Sequence, residues 1–215
     1  LLSVREAVTK ALEMARAEPE RLQIEGTLGT IPTHLVQAAF ESRMERFNRC
    51  YAEGLGRLPY LSGEVLFAAR VTRDGSPRWV HLRAADVGDR AVERCLTDVA
   101  SRIRFPAPSE GEAEVTYSFS LPPADDARPP ERWSADRAGR IAAEHQAEIA
   151  GCKTSGPEGP YALTLYVDAQ GQVIAAGGTG PTAGPPVEGV VACLSSAALG
   201  WRIRPASHFM SKVTL

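Results

Sequence analysis

The stretch Val92–Pro106, VERCLTDVASRIRFP, returns in altered form near the end of the chain as Val191–Pro205, VACLSSAALGWRIRP. At a constant offset of 98 residues, Cys95 corresponds to Cys193, Leu96 to Leu194, Arg104 to Arg202 and Phe105 to Ile203. Each copy has the pattern of a short helix that runs into a basic and aromatic corner and then into a strand. Such a repeat indicates a chain that builds one structural unit twice.

Each copy also has a second cysteine upstream, Cys50 in the first and Cys152 in the second, at similar separations of 45 and 41 residues. The 215 residues therefore divide into two units of roughly 85–100 residues each. Units of that size bury only about 60–65% of the surface that the unfolded chain exposes, so hydrophobic burial alone stabilises them weakly. Cross-links between the cysteines would then contribute much of the stability.

The composition argues against several classes of protein. A net charge of −2 and an isoelectric point near 6.1 give no electrostatic basis for binding nucleic acid or an anionic membrane. No apolar run approaches the ~20 residues of a membrane-spanning helix. Because the chain begins with Leu1 and Leu2, we expect any signal peptide or membrane anchor to belong to a missing N-terminal part.

Apolar periodicity predicts the order helix, strand, strand, helix, strand in the first unit. The expected elements are a helix over Thr33–Tyr51, a hairpin of strands over Val65–Val71 and Trp79–Ala84, a helix over Val92–Ile103 and a strand over Glu114–Leu121. The pair Asp74-Gly75 between the hairpin strands predicts a type I′ turn.

The second unit repeats this order. The expected elements are a helix over Ser134–Cys152, strands over Tyr161–Val167 and Gln172–Ala176, a loop over Gly177–Pro186, a helix over Val187–Leu199 and a strand over His208–Leu215. A helix over Ser3–Ala17 and an edge strand over Leu22–Leu28 are expected before the first unit. The domain bounds that follow are 1–21 for an N-terminal helix or linker, 22–121 and 133–215 for the two units, and 122–132 for a proline-rich linker.

Four segments of the first unit, followed by an alternating strand, resemble the TonB C-terminal-like fold: RFNRCYAEGL, GEVLFAARVTRDG, VGDRAVERCL and IRFPAP. The most similar branch is the AgmX/PglI C-terminal family of bacterial envelope and gliding-motility proteins. The resemblance covers Gly26–Leu121 and, more weakly, Trp133–Leu215, where the Asp-Gly turn is missing and Lys153 replaces a tyrosine. It implies a non-enzymatic periplasmic module that docks other envelope proteins.

We therefore expect an α+β fold of two tandem TonB C-terminal-like units. Each unit would be a three-stranded antiparallel sheet, covered on one face by two helices and stapled by a disulfide. A right-handed crossover places the third strand beside the first, which gives the spatial order 2-1-3.

Four cysteines allow three pairings, and their spacing alone does not choose among them. The repeat chooses one pairing, because equivalent positions in the two copies should form equivalent disulfides. It predicts the disulfides Cys50–Cys95 and Cys152–Cys193. Such bonds indicate an oxidising compartment, most simply a bacterial periplasm or the outside of the cell. The alternatives are buried free thiols, a zinc site, for which no C-x-x-C or histidine ligand spacing exists, and a cysteine nucleophile with a histidine base such as His81 or His145.

The other candidate site is the last strand of the first unit, an edge strand in the order 2-1-3. Its predicted partner-binding residues are Glu114, Val115, Thr116, Tyr117, Ser118, Phe119 and Ser120. A regular edge with one charge at its start can accept an extended peptide, and the TonB resemblance points to the same edge. Alternatively, the strand Phe209–Leu215 covers this edge, or the protein binds peptidoglycan or another glycan. No cofactor is expected, because the glycine-rich Ala175–Pro186 lacks the phosphate-loop lysine.

Overall fold

The computed structural model describes residues 28–124, 127–204 and 206–215. The helix predicted over Ser3–Ala17 and nearly all of the strand predicted over Leu22–Leu28 lie outside the described residues. The described part is an α+β structure with two sheets, one in each half of the chain, and two disulfides. Among the described residues, none of the helices combines the length and the apolar character that crossing a bilayer requires.

The first unit contains α1 (Thr33–Glu41), α2 (Met44–Arg57), β1 (Gly63–Val71), β2 (Pro77–Ala85), α3 (Arg90–Ser101) and β3 (Ala113–Leu121). Its strands form an antiparallel sheet in the order β2-β1-β3, which confirms the predicted order. In the central strand, Val65 lies opposite Ala85 on one side and Phe119 on the other. The edge strands are therefore β2 and β3.

The second unit contains β4 (Glu131–Arg132), α4 (Ala135–Glu144), α5 (Gln146–Lys153), β5 (Ala162–Val167), β6 (Val173–Thr179), α6 (Pro185–Ala198) and β7 (Ser211–Thr214). Its sheet has the order β4-β7-β5-β6, so β6, β5 and β7 repeat the arrangement of the first unit. The prediction of three strands is wrong in one respect. The end of the predicted linker forms β4, which pairs in parallel with β7 and occupies its free edge.

Both hairpins turn on a glycine with positive φ, 80° at Gly75 and 81° at Gly171. In the first hairpin, the Gly75 N–H donates to the Thr72 carbonyl at 2.9 Å, and the Thr72 N–H donates to the Ser76 carbonyl at 2.8 Å. These bonds define a three-residue loop with glycine at its last position, instead of the predicted two-residue type I′ turn.

The repeated corner after α3 and α6 docks on these glycines. The Phe105 N–H donates to the Gly75 carbonyl at 2.9 Å, and the Ile203 N–H donates to the Gly171 carbonyl at 2.8 Å. A Cβ on Gly75 would overlap the carbonyl oxygen of Phe105. The hairpin turn and the corner are thus matched parts of one contact, and the contact is present in both units.

The helix predicted over Thr33–Tyr51 consists of two helices, α1 and α2, that meet at Ser42 and Arg43. The Ser42 hydroxyl donates to the Ala39 carbonyl at 2.7 Å, a local bond of the kind that competes with helical pairing. Both helices nevertheless bury large aromatic side chains on one face, at Phe40 in α1 and at Phe47 and Tyr51 in α2.

The helix predicted over Ser134–Cys152 also breaks, at His145, which ends α4 and begins α5. The imidazole of His145 stacks on the indole of Trp201, with ring centroids 3.9 Å apart. Glu148 holds both rings, since its carboxylate lies 3.1 Å from Nδ1 of His145 and accepts from Nε1 of Trp201 at 2.9 Å. His145 is therefore a packed structural histidine.

Each unit is stapled at the same place. Cys50 of α2 is bonded to Cys95 of α3, with Cα atoms 5.7 Å apart, and Cys152 of α5 to Cys193 of α6, with Cα atoms 5.5 Å apart. Both predicted pairings are confirmed. Closing a loop of 45 residues stabilises a unit by about 4 kcal/mol in the chain-entropy model.

Candidate functional site

Strand β3 pairs with β1 along its whole length, from Ala113 opposite Val71 to Leu121 opposite Gly63. Its side chains alternate between the core and solvent as predicted. Val115 is buried, with 8% of its surface exposed, while the outer face presents Thr116, Ser118 and Ser120 to solvent. The strand is therefore regular over the predicted site.

Aromatic packing supports β3 from beneath. The ring of Tyr117 stacks on that of Phe40, with centroids 4.3 Å apart and an interplanar angle of 13°. The ring of Phe119 lies 5.4 Å from that of Phe47 and 6.1 Å from that of Phe67. Contacts of this kind add about 0.5–1.5 kcal/mol each beyond the burial of area. They hold the strand in place through its inner face.

One contact outside the sheet shows which backbone N–H and C=O groups of β3 point toward its outer edge. The Gly29 N–H donates to the carbonyl of Glu112 at 2.9 Å, from the side of β3 that faces away from β1. Because the N–H and C=O groups of successive strand residues point to opposite edges, the outward groups belong to even-numbered residues. These residues are Glu114, Thr116, Ser118 and Ser120. Among the described residues, no strand pairs with this edge of β3.

The start of the edge is closed by local contacts. Leu28 bridges Glu112 in parallel, and Thr30 bonds to Ser109 through its N–H and its carbonyl. Glu114 is the charge expected to protect the edge. Arg70 of β1 lies 3.0 Å from its carboxylate, which reduces the local charge. The open part of the edge therefore starts near Glu114 and carries little charge.

The equivalent strand of the second unit has its edge covered. The Glu131 N–H of β4 donates to the Met210 carbonyl at 2.8 Å, and the Trp133 N–H donates to the Lys212 carbonyl at 3.2 Å. Strand β7 pairs with β4 and β5 and does not reach β3. The alternative in which Phe209–Leu215 covers the first unit's edge is therefore wrong.

All four cysteines are in disulfides, which leaves no free thiol to act as a nucleophile. The loop predicted over Gly177–Pro186 begins later than expected, because β6 extends to Thr179. Gly177 and Gly178 therefore lie in the strand, and the N–H of Gly178 donates to Glu93 of the first unit. His81 of β2 is half-buried, and burial is the main cause that lowers its pKa, with the nearby charge of Arg83 acting in the same direction. Its imidazole is thus neutral at neutral pH.

Sequence reasoning missed the contact between the units. The Tyr166 hydroxyl donates to the Ser62 carbonyl and accepts from the Ser62 N–H, both at 3.1 Å. Lys212, with 3% of its surface exposed, lies 3.3 Å from the carboxylate of Asp86. Burial lowers the pKa of Lys212 to about 8, although Asp86 opposes this change. These bonds join β5 and β7 of the second unit to the loops around β1 and β2.

A second contact between the units is centred on Glu93 of α3, whose side chain is fully buried. Its carboxylate accepts from the N–H of Gly88 at 3.2 Å and from that of Gly178, in the other unit, at 2.8 Å. A Cβ on Gly177 would overlap this carboxylate, and one on Gly88 would lie 2.8 Å from Thr164. Two sequence signals could have indicated this contact. One is a glutamate next to Val92 on the apolar side of a helix, and the other is a pair of adjacent glycines in a strand.

Strands β2 and β6 lie side by side at this contact but belong to separate sheets, so the two units do not share a continuous sheet. A comparison of the chain with family models, with curated protein sequences and with solved structures finds no match. The TonB C-terminal-like identity of the units therefore stays a prediction from the residues that resemble that family.

Proposed function

We propose that this chain is a non-enzymatic protein–protein interaction module of a bacterial envelope-spanning complex. In this proposal, an extended segment of a partner protein adds as a strand to the outer edge of β3. The observation that carries the proposal is the row of outward backbone groups from Glu114 to Ser120, which no strand of the described chain pairs. An added strand gains its affinity from main-chain bonds and its selectivity from alternate side chains.

The second unit supports this mode of binding, because the chain uses it internally. Strand β4 adds to the free edge of β7 in parallel, through two main-chain bonds. Strand β7 lies beside β5 of the second sheet in the same way that β3 lies beside β1 of the first sheet. An edge of this construction thus accepts a short extended segment in the folded protein.

The disulfides indicate the compartment in which the protein works. Two disulfides in a chain of this size are typical of extracytoplasmic proteins. The resemblance to TonB C-terminal-like proteins narrows the proposal to the bacterial periplasm and to gliding-motility or TonB-like transport machinery.

The test uses linear peptides selected from a random displayed library against the wild-type protein. Their dissociation constants are measured by calorimetry for wild type, Ser118→Ala and Ser118→Pro. Proline removes the outward N–H of residue 118, whereas alanine removes the same hydroxyl and keeps the N–H. We expect the alanine variant to bind as wild type does and the proline variant to lose at least roughly tenfold in affinity, since neighbouring bonds are also disturbed.

Amide hydrogen exchange provides the second measurement. Bound peptide should slow exchange at the amides of Thr116, Ser118 and Ser120 and leave the β1-facing amide of Tyr117 unchanged. Circular dichroism and thermal unfolding confirm that the proline variant is folded. Selected peptides that bind the folded proline variant with wild-type affinity, or that protect none of the outward amides, would show that β3 is not the docking edge.

A further inference from the structure

A cleft of ≈ 810 Å³ lies between the two units, on the side of the first sheet away from β3. Its walls are α3 of the first unit and α6 of the second, and parts of β2 and β6 form its floor. Ligand sites for small molecules have volumes of roughly 300–1,000 Å³ and occur preferentially between domains. The cleft has the size and the location of such a site.

The two walls differ in character. The wall from α6 exposes small side chains one or two turns apart, at Gly189, Ala192 and Ser196, and this leaves the space open. The wall from α3 presents Arg90 and Arg94, which stand one turn apart on the helix. A ligand lying against the small residues would therefore face two guanidinium groups.

The charges in the cleft are incompletely paired. Arg90 bonds to Glu188 of the opposite wall through one terminal nitrogen, and its buried Nε has no hydrogen-bond partner in the described part of the chain. Arg94 forms no ion pair or hydrogen bond with any described residue. Glu93 is sealed beneath the surface, so Glu188 is the single carboxylate among the described lining residues, and arginine exceeds acid there by one charge.

The floor adds a polar group and an aromatic surface. Nδ1 of His81 is buried and has no hydrogen-bond partner among the residues that the structure describes. Buried nitrogens without partners are uncommon in folded proteins, so the floor of the cleft has an unused hydrogen-bonding group. The ring of Trp79 lies 5.3 Å from that of His81 and lines the same cleft, so an apolar ligand body would find a flat surface there.

We propose that the cleft between the units binds a small ligand through a carboxylate group, with Arg94 and Arg90 on the carboxylate and Trp79 against the ligand body. Arginine suits this role because its planar donors match the two oxygens of a carboxylate. Two sources offer this chemistry, the free C-terminus of a peptide and an acidic sugar. The site is separate from the β3 edge, since β1 lies between β2 and β3 and separates them by roughly 10 Å.

The experiment follows amide and indole signals by NMR while four probes are added to the full chain. Acetyl-dialanine and glucuronic acid carry a carboxylate, whereas acetyl-dialanine amide and glucose are their neutral counterparts. We expect saturable shifts at the Trp79 indole and at the Gly189 and Ala192 amides with at least one acid, and none with its neutral counterpart. Which acid binds identifies the source of the ligand.

Two matched variants test the arginine. Arg94→Gln should weaken binding of that acid by roughly tenfold or more, the loss of one charge-assisted hydrogen bond. Arg102→Gln, which removes an exposed arginine just beyond the same helix and outside the cleft, should leave binding unchanged. Ala192→Phe fills the cleft without changing charge and should also abolish the shifts.

Three results would overturn the proposal: no saturable binding of either acid up to the millimolar range, equal binding of neutral counterparts, or unchanged binding by folded Arg94→Gln. Ser118→Pro separates this site from the β3 edge, because it should leave the carboxylate shifts as they are in wild type. Loss of peptide addition and loss of carboxylate binding are thus measured on different variants.

Discussion

The buried carboxyl of Glu93 gives the molecule a stability that depends on pH in a defined direction. Burial raises its pKa from the ordinary value of 4.5 to about 8, despite the N–H donors of Gly178 and Gly88 and the nearby charge of Arg90, while Asp89 adds to the increase. A carboxyl whose pKa is higher in the folded state binds its proton more tightly when folded. Folding is therefore favoured while Glu93 is protonated, and the free energy of unfolding falls as pH rises from 4.5 to about 8.

The magnitude follows from the interval between the two pKa values. At about 1.4 kcal/mol per pH unit, complete ionisation of Glu93 lowers the free energy of unfolding by roughly 5 kcal/mol, of which about 3 kcal/mol is already lost at neutral pH. Lys212 acts in the other direction. Burial lowers its pKa to about 8, so its contribution to stability rises with pH from about 8 to 10.5.

Glu93→Gln isolates the first effect, because Lys212 is present in both proteins. Glutamine keeps the shape and cannot ionise, but its amide nitrogen cannot accept from one of the two glycine N–H groups. We expect a cost of about 1–3 kcal/mol at acid pH from that unpaired donor. The variant should lack the loss of stability between pH 5 and 8, so wild type and variant converge or cross as pH rises.

The assay is urea unfolding followed by tryptophan fluorescence at several pH values, for wild type, Glu93→Gln and Glu53→Gln. Glu53 is an exposed glutamate of α2, and its replacement should leave the pH dependence of wild type unchanged. If wild type and Glu93→Gln lose stability with the same slope between pH 5 and 8, Glu93 does not titrate in this range and the argument from burial fails.

Three further perturbations test the fold. The double replacement Cys152→Ala and Cys193→Ala should lower the free energy of unfolding by about 4 kcal/mol, and an unchanged urea midpoint would count against stabilisation by the staple. Tyr166→Phe should cost about 1 kcal/mol, because it leaves the part-buried N–H of Ser62 without its acceptor, and calorimetric melting measures the change. Gly75→Ala should destabilise by more than 1 kcal/mol, since its φ is 80° and the repeated corner lies against it, whereas Gly139→Ala on the open face of α4 should stabilise by about 1 kcal/mol. Equal effects of the two glycine replacements in urea unfolding would contradict the turn geometry.

The repeat in the sequence determined much of this fold. Matched spacing of Cys50 to Cys95 and of Cys152 to Cys193 predicted both disulfides. The alternation in β1, β2 and β3 predicted the strands, and the right-handed crossover predicted their order. These features could be predicted because each depends on the periodic burial of one element or on a choice between equivalent positions. The regularity of the β3 edge was predicted for the same reason, while its role in binding stays a prediction.

The tertiary structure alone decided how distant segments meet. A two-residue strand such as β4 is too short to have a periodicity, and it forms because β7 offers a free edge. The burial of Glu93 and Lys212, and the cleft that contains Arg94, depend on the second unit packing beside the first. Local patterns report which face of an element is buried, and they carry no information on which element from the other half of the chain covers it.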